Sequence, residues 1–524
     1  MAVGRAVSVA LSGLEGHLVE VEADVGAGLP GMHVVGLGDA AVSEARSRTR
    51  TAAVNSGLGW PRTKIVVSMS PASLRKHGSA FDLAIVCAVL SAGLDPGPSG
   101  DAARDRLAGA VLLGELGLDG AVREVPGVLA AVLAARDAGV AGVVVPPGCG
   151  PEAALVPGIS VGCARDLAQL WRWVTAGTGL DAPGRPPRVL EPGAPDLSDV
   201  HGQETARCAL EVAAAGRHHL LFTGAPGTGK SMLAARLPGI LPPLGEREAL
   251  EVTAIRSIAA TGGEGAAPAA HPPFVAPHHT VSAAALLGGG PGTPAPGAVS
   301  LAHHGVLFLD EVSLMSGRHL DALRVPLETG RVVIHRARHR IAYPARFQLV
   351  AAANPCRCGA ADPADCRCAP GERRRHMASL SGPLLDRIDV RVRLHPRRAV
   401  LAPEPGEPSA IVRDRVLAAR DRAAARWARL GLGPAPGEPG KLGPCTIATA
   451  DVPGPALRRH APPDEEAMAW LAARLADGAL TQRGIDRTLR VAWTLADLAG
   501  LGRPGLGEVA DAADLHEDAE EVAA

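Results

Sequence analysis

Apolar runs and amphipathic stretches alternate along most of the chain, and their periods divide it into blocks. Residues 7–11, 18–25, 32–37, 64–70, 111–113 and 142–146 predict strands, and 40–56 and 80–92 predict helices. Together they read as a mixed α/β block over residues 1–175. A Pro/Gly-rich linker follows at 176–196. In residues 197–395 the strand-like runs become wholly apolar. Leu220–Thr223, Val306–Leu309 and Phe347–Ala353 predict buried strands. Helices are predicted at 203–215 and 317–329, and a strand pair at 331–334 and 340–343. Residues 253–300 are rich in Gly, Pro and Ala, and so long a connection is usually functional or mobile. Residues 396–505 read as helical, with amphipathic helices near 409–430, 464–477 and 483–499 and Pro/Gly-rich loops at 402–408 and 431–444. Residues 506–524 are acidic and Ala-rich and predict a fraying tail.

Composition changes this picture little. A chain of 524 residues has room for about two to four domains with cores of their own. It is 47% hydrophobic with a formal net charge of −1, so any nucleic-acid surface must be local. Aromatic residues are only 2%, but Val, Ile and Leu stay frequent, which argues against disorder. No apolar run has the length of a membrane span, and the first residues alternate in polarity rather than forming a signal peptide. A cytoplasmic protein without membrane contact is expected. Its nine cysteines then point to thiols or a metal rather than disulfides.

The candidate chemistry sits where the apolar runs end. The run at 220–223 passes into Gly224, Ala225, Pro226, Gly227, Thr228, Gly229, Lys230 and Ser231, which fits G-x-x-x-x-G-K-[ST]. Glycines let such a loop turn its N–H groups onto phosphate oxygens. Lys230 then reaches the β- and γ-phosphates of ATP, and the Ser231 hydroxyl ligates Mg²⁺. The run at 306–309 ends in Asp310 and Glu311, one acid for the Mg²⁺ shell and one to polarise the attacking water. The run at 347–353 ends in Asn354, whose amide can sense the γ-phosphate, or simply cap the strand. Cys356, Cys358, Cys366 and Cys368 form C-x-C-x₇-C-x-C, which suits a tetrahedral structural Zn²⁺, although free thiols or a redox pair fit the same spacing. Arg387, closing a short helix, can reach a neighbouring subunit's γ-phosphate or pair with Asp386 or Asp389. Arg483 is a similar candidate in cis, with Arg487 and Arg490 on the next turns. The pairs His218/His219, His278/His279 and His303/His304 read as structural or loop histidines, since adjacent side chains point apart. The basic connection 335–346, with Arg336, Arg338, Arg340 and Arg346, is either a phosphate-gripping hairpin or a solvated edge.

In order along the chain, Gly-Leu-Pro-Gly (28–31), Val-Val-Gly-Leu (34–37), Lys-His-Gly-Ser-Ala-Phe-Asp-Leu (76–83), Ala-Pro-His-His-Thr (276–280), Phe-Leu-Asp-Glu (308–311), Ala-Asn-Pro-Cys (353–356) and Ser-Gly-Pro-Leu-Leu-Asp-Arg (381–387) resemble the Mg-chelatase-like AAA+ ATPases, specifically the ComM/YifB group. The resemblance implies a Lon-protease-like α/β N-terminal domain, an AAA+ P-loop core and a C-terminal helical lid. It makes Asp310 and Glu311 Walker B, Asn354 sensor 1, Arg387 the arginine finger and Arg483 sensor 2. It further implies a homo-oligomeric ring, usually a hexamer, that acts on single-stranded or branched DNA as a branch-migration helicase. A chelatase-type subunit that remodels a protein partner is the alternative, and the leading domain speaks against it. Two departures stand out. Ser79 takes the place of the Lon-type nucleophile, but Leu129 stands where its Lys would be, so no peptidase activity is expected. His304 stands where the group usually has Asn.

Overall fold

The computed structural model describes residues 3–35, 40–74, 76, 78–185, 194–259, 268–290, 294–336, 339–360, 366–380, 382–395, 406–432 and 447–517. Most of the predicted loops at 402–408 and 431–444, residues 186–193 of the linker, Arg338 and residues 518–524 lie outside these.

Residues 4–163 build a seven-stranded mixed sheet. Its order is Gly31–Val35, Lys64–Ser70, Glu15–Gly26, Gly4–Ser12, Ala110–Leu112, Gly142–Val145 and Ser160–Cys163. The alternation in Glu15–Gly26 has its reason here: Val19, Val21 and Ala23 are buried while Glu20 and Asp24 face solvent. The helix Asp82–Ser91 is buried along its whole length, which explains its unbroken apolar run. Its one acid, Asp82, accepts hydrogen bonds from Arg48 at 2.9 and 3.1 Å.

A second, all-parallel sheet has the order Phe274–Val275, Val306–Leu309, Gln348–Ala353, Leu220–Gly224 and Val390–Leu394. The three central strands are buried at every position, so they read as continuous apolar runs. One face packs against Glu204–Gly216 and the C-terminal helices Ser409–Arg429, Gln482–Ala499 and Leu506–Glu517 in a single core. Trp427 and Trp493 meet edge to face within it, with centroids 5.9 Å apart. The other face packs against Val299, Val312, Leu320 and Leu384.

The expected tail is corrected over residues 506–517, which form a helix. Its acids Glu508, Asp511 and Asp514 recur every third residue. Between them Val509, Ala512 and Ala513 are buried. Spacing, not net charge, decides the outcome. The helices Pro98–Ala108, Val128–Asp137, Leu167–Ala176 and Glu246–Ala259 were also not predicted from the sequence. The last of these occupies the start of the stretch read as a long connection. The predicted helix 317–329 is two short ones, Gly317–Ala322 and Arg324–Thr329.

The two sheets are tied together. Val128–Asp137 packs on Glu246–Ala259, and Ala254 enters the core of the first unit. The turn at Gly13 lies so close to the second unit that a Cβ there would sit 2.4 Å from the Ala342 carbonyl oxygen.

Candidate nucleotide site

Parallel pairing brings the three expected motifs to one end of the second sheet. Leu309 pairs with Ala351, and Ala353 pairs with Thr223. Asp310, Asn354 and Gly224 therefore leave three adjacent strands side by side, at the carboxyl edge where open α/β sheets bind ligands. The loop turns at Gly227 (φ 78°) and Gly229 (φ 96°), values that a side chain would strain. Lys230 donates to the carbonyls of Gly224 and Ala225, at 2.8 Å each. Burial lowers its pKa, while nearby Asp310 and Glu311 oppose that shift. The Ser231 hydroxyl donates to Asp310 Oδ2 at 2.7 Å. Two oxygens of this kind, brought together by different strands, fit an oxygen-loving divalent ion such as Mg²⁺. Ala225 is buried, Pro226 exposed, and the Thr228 hydroxyl closes the loop onto the Ala225 carbonyl at 2.9 Å.

Asp310 also accepts from the Glu311 backbone N–H at 2.8 Å, and Glu311 itself sits in the left-handed region (φ 48°, ψ 40°). Non-glycine residues hold such geometry when their surroundings enforce it, and functional sites concentrate it. The Glu311 carboxylate lies 3.3 Å from His279 Nδ1. His279 thus stands beside the candidate base, a position its sequence reading as a loop histidine did not reveal. Gln203 was also missed: its amide donates to the carbonyls of Thr228 (3.4 Å) and His395 (3.1 Å), bracing the loop. Asn354 presents its carbonyl to His376 Nε2 at 3.2 Å.

Arg387 and Arg483 are elsewhere. Val390–Leu394 pairs with the P-loop strand so that Gly224 faces Leu394 and Leu220 faces Val390. Arg387 precedes Val390 and so lies at the opposite end of the sheet, ion-paired with Glu328. Burial lowers its pKa, with Arg324 and Arg483 adding to the effect. Arg483 donates to Asp386 at 3.0 Å. The structure thus groups Arg483 with Arg387 and does not bring it to the P-loop of its own chain. Arg487 joins the same carboxylate at 3.7 Å, whereas Arg490 reaches Asp389 at 3.9 Å.

The four cysteine sulfurs lie within 4.8 Å of one another. Glu251, His303 and His304 form a second such cluster, but its hydrogen bonds favour a proton network over a metal. His303 Nδ1 accepts from the Arg346 backbone N–H at 2.9 Å, so its proton is on Nε2, which donates to Glu251 at 2.9 Å. Burial holds His303 down at about 4, hence neutral. Burial alone would raise the Glu251 pKa, but hydrogen bonds from His303 and His304 hold it at about 2. His304 has φ 57°, a left-handed backbone that Asn tolerates well, so the Asn implied by the resemblance would fit the same turn.

On the strand pair Arg331–Arg336 and His339–Pro344, Arg331, His335 and Arg340 are exposed. Arg346 departs from the predicted basic surface: it lies beyond the hairpin, burial lowers its pKa, and it lines a cavity with Arg217 and Asp451. Ser79 donates to Glu115, Leu129 is buried, and the nearby Lys76 ammonium is spent on the carbonyls of Met69 and Pro71. Among the described residues, no helix is long and apolar enough to cross a membrane.

Three family models cover most of the chain: "Subunit ChlI of Mg-chelatase" over residues 21–148, "Magnesium chelatase, subunit ChlI" over 196–400 and "Magnesium chelatase, subunit ChlI C-terminal" over 406–516. An uncharacterized protein of Mycobacterium tuberculosis is 51% identical over 98% of both chains. YifB of Escherichia coli is 39% identical over 93% of this chain and 91% of its own. Competence protein ComM of Haemophilus influenzae is 36% identical over 95% of this chain and 94% of its own. With relatives this similar along nearly the full length, and with the nucleotide-loop motifs set on adjacent parallel strands, the chain belongs to the Mg-chelatase-like family, in the ComM/YifB group.

Proposed function

We propose that the protein is an ATP-hydrolysing AAA+ motor that assembles as a ring, a hexamer, and acts on single-stranded or branched DNA in the cytoplasm. The observation that carries the ATPase part is the Ser231–Asp310 contact of 2.7 Å, with Glu311 as the next residue. In this reading Lys230 exchanges the carbonyls of Gly224 and Ala225 for the β- and γ-phosphates. Ser231 and Asp310 hold Mg²⁺, which neutralises charge on the phosphate oxygens. Glu311 orients and deprotonates the attacking water, and Asn354 positions it. Arg387 and Arg483, far from their own P-loop, serve a neighbouring subunit. The four thiols hold a structural Zn²⁺, and the leading domain is Lon-like but not a peptidase, since Ser79 meets a carboxylate rather than an amine.

The DNA part is supported by the resemblance, by the name of the competence relative and by exposed Arg331, His335 and Arg340 on the hairpin. Branch migration during natural transformation, or a related recombination step, is the role proposed. A chelatase-type subunit acting on a protein partner is the second reading. The family models favour it, because even residues 21–148 match a ChlI description, so the leading domain does not separate the two. A fluorescent four-way junction tests the choice. ATP-dependent conversion to duplex products supports the motor, and an inert junction alongside active hydrolysis favours the protein-remodelling reading.

A further inference from the structure

We propose that the zinc-loaded cysteine loop is a wall of the nucleotide site, so that metal occupancy sets how tightly the P-loop holds nucleotide. This rests on the zinc reading above and extends it from a local staple to a control point. The sulfurs of Cys356 and Cys358 are 3.1 Å apart and those of Cys358 and Cys366 are 3.6 Å apart. A tetrahedral ion with Zn–S bonds of about 2.3 Å needs separations of about 3.8 Å, so small shifts admit it. Cys356 is buried and the other three lie nearer the surface, as in a closed clip that joins a loop to a core.

Both ends of that clip touch the site. Gly359 (φ 67°) lies on the P-loop proline: a Cβ there would stand 2.9 Å from Pro226 Cγ and 3.0 Å from Pro226 Cδ. After Cys368 the helix Pro370–Met377 turns back and gives His376 Nε2 to the Asn354 carbonyl at 3.2 Å. Two residues past the end of that helix, the Ser379 hydroxyl donates to the Ser313 carbonyl at 3.1 Å, in the turn that follows Glu311. The segment therefore meets the P-loop, the Asn354 strand end and the turn after Glu311. Yet no residue of the helix Pro370–Met377 is fully buried, and Met377 packs on the core only in part, so apolar packing alone ties it weakly. Metal ligation supplies the tie that packing does not.

The experiment uses the full-length chain purified in reductant. Zinc is counted by mass spectrometry, and binding of a fluorescent ADP is titrated before zinc removal by a chelator, after it, and after zinc is restored. We expect one zinc per chain, a Kd at least fivefold weaker after removal, and recovery on restoration. His376→Ala, which removes the contact with the Asn354 carbonyl and leaves the four thiols and their loop alone, should keep the zinc and still weaken nucleotide binding. Zinc that leaves with no change in Kd overturns the proposal, as does tight nucleotide binding by protein that never holds zinc. Zinc-loaded protein that binds no nucleotide overturns the nucleotide reading along with it.

Discussion

Glu311 is held from two sides, by the Asp310 carboxylate on its backbone N–H and by His279 beside its own carboxylate. Glu311→Gln keeps that geometry and removes the proposed base. The expected result is a fall in kcat of about 10²-fold or more, with nucleotide Kd nearly unchanged. His279→Ala should lower kcat by about tenfold and leave KM for ATP within about twofold, because the imidazole faces the carboxylate and not the P-loop. A steady-state comparison of the two constants decides this, since a merely structural role would change both. The difference in legibility between these residues is physical. Lys230 and Ser231 are fixed by a local motif that works through its own backbone. His279 lies far from Glu311 in sequence and meets it only because Phe274 pairs with Val306, a register that one sequence does not display.

At the scale of elements, two imidazoles, the buried His303 and the half-buried His219, accept backbone hydrogen bonds at the edge of the second sheet. His219 Nδ1 accepts from the Leu349 N–H at 3.0 Å, and His303 does the same for Arg346 at 2.9 Å. Burial lowers both to about 4 from an ordinary 6.5. The unfolded chain therefore takes up protons below pH 6.5 that the folded chain refuses, and stability falls as pH drops from 6.5 toward 4. A loss on the order of 2 kcal/mol per histidine by pH 5 follows. Thermal melts at pH 7 and pH 5 check it, and an unchanged Tm would contradict it. Truncation after Gly505 should lower the Tm by several degrees, because it uncovers the core against which Val509 and Ala512 pack. That helix was hidden by its acids, and Glu246–Ala259 by the Gly/Pro-rich stretch it adjoins. The buried strands were legible because both faces are covered, which leaves long apolar runs with sharp ends.

Across the whole molecule, the P-loop and the Arg387–Arg483 group stand at opposite ends of one sheet. In the proposed ring, each chain contributes two parts of a hydrolytic site that meet only between copies. Mixing Arg387→Ala with Glu311→Gln chains should then restore part of the ATPase activity that each lacks alone, since some interfaces combine an intact arginine with an intact glutamate. Absence of any recovery would count against shared sites. The most direct test of the whole account is ATP hydrolysis by the purified protein with no DNA, linear duplex, single strand or a four-way junction, beside Glu311→Gln. The motor reading predicts marked stimulation by single strand or junction that disappears in the variant. Equal rates with every DNA would contradict it and leave the protein-remodelling reading in its place.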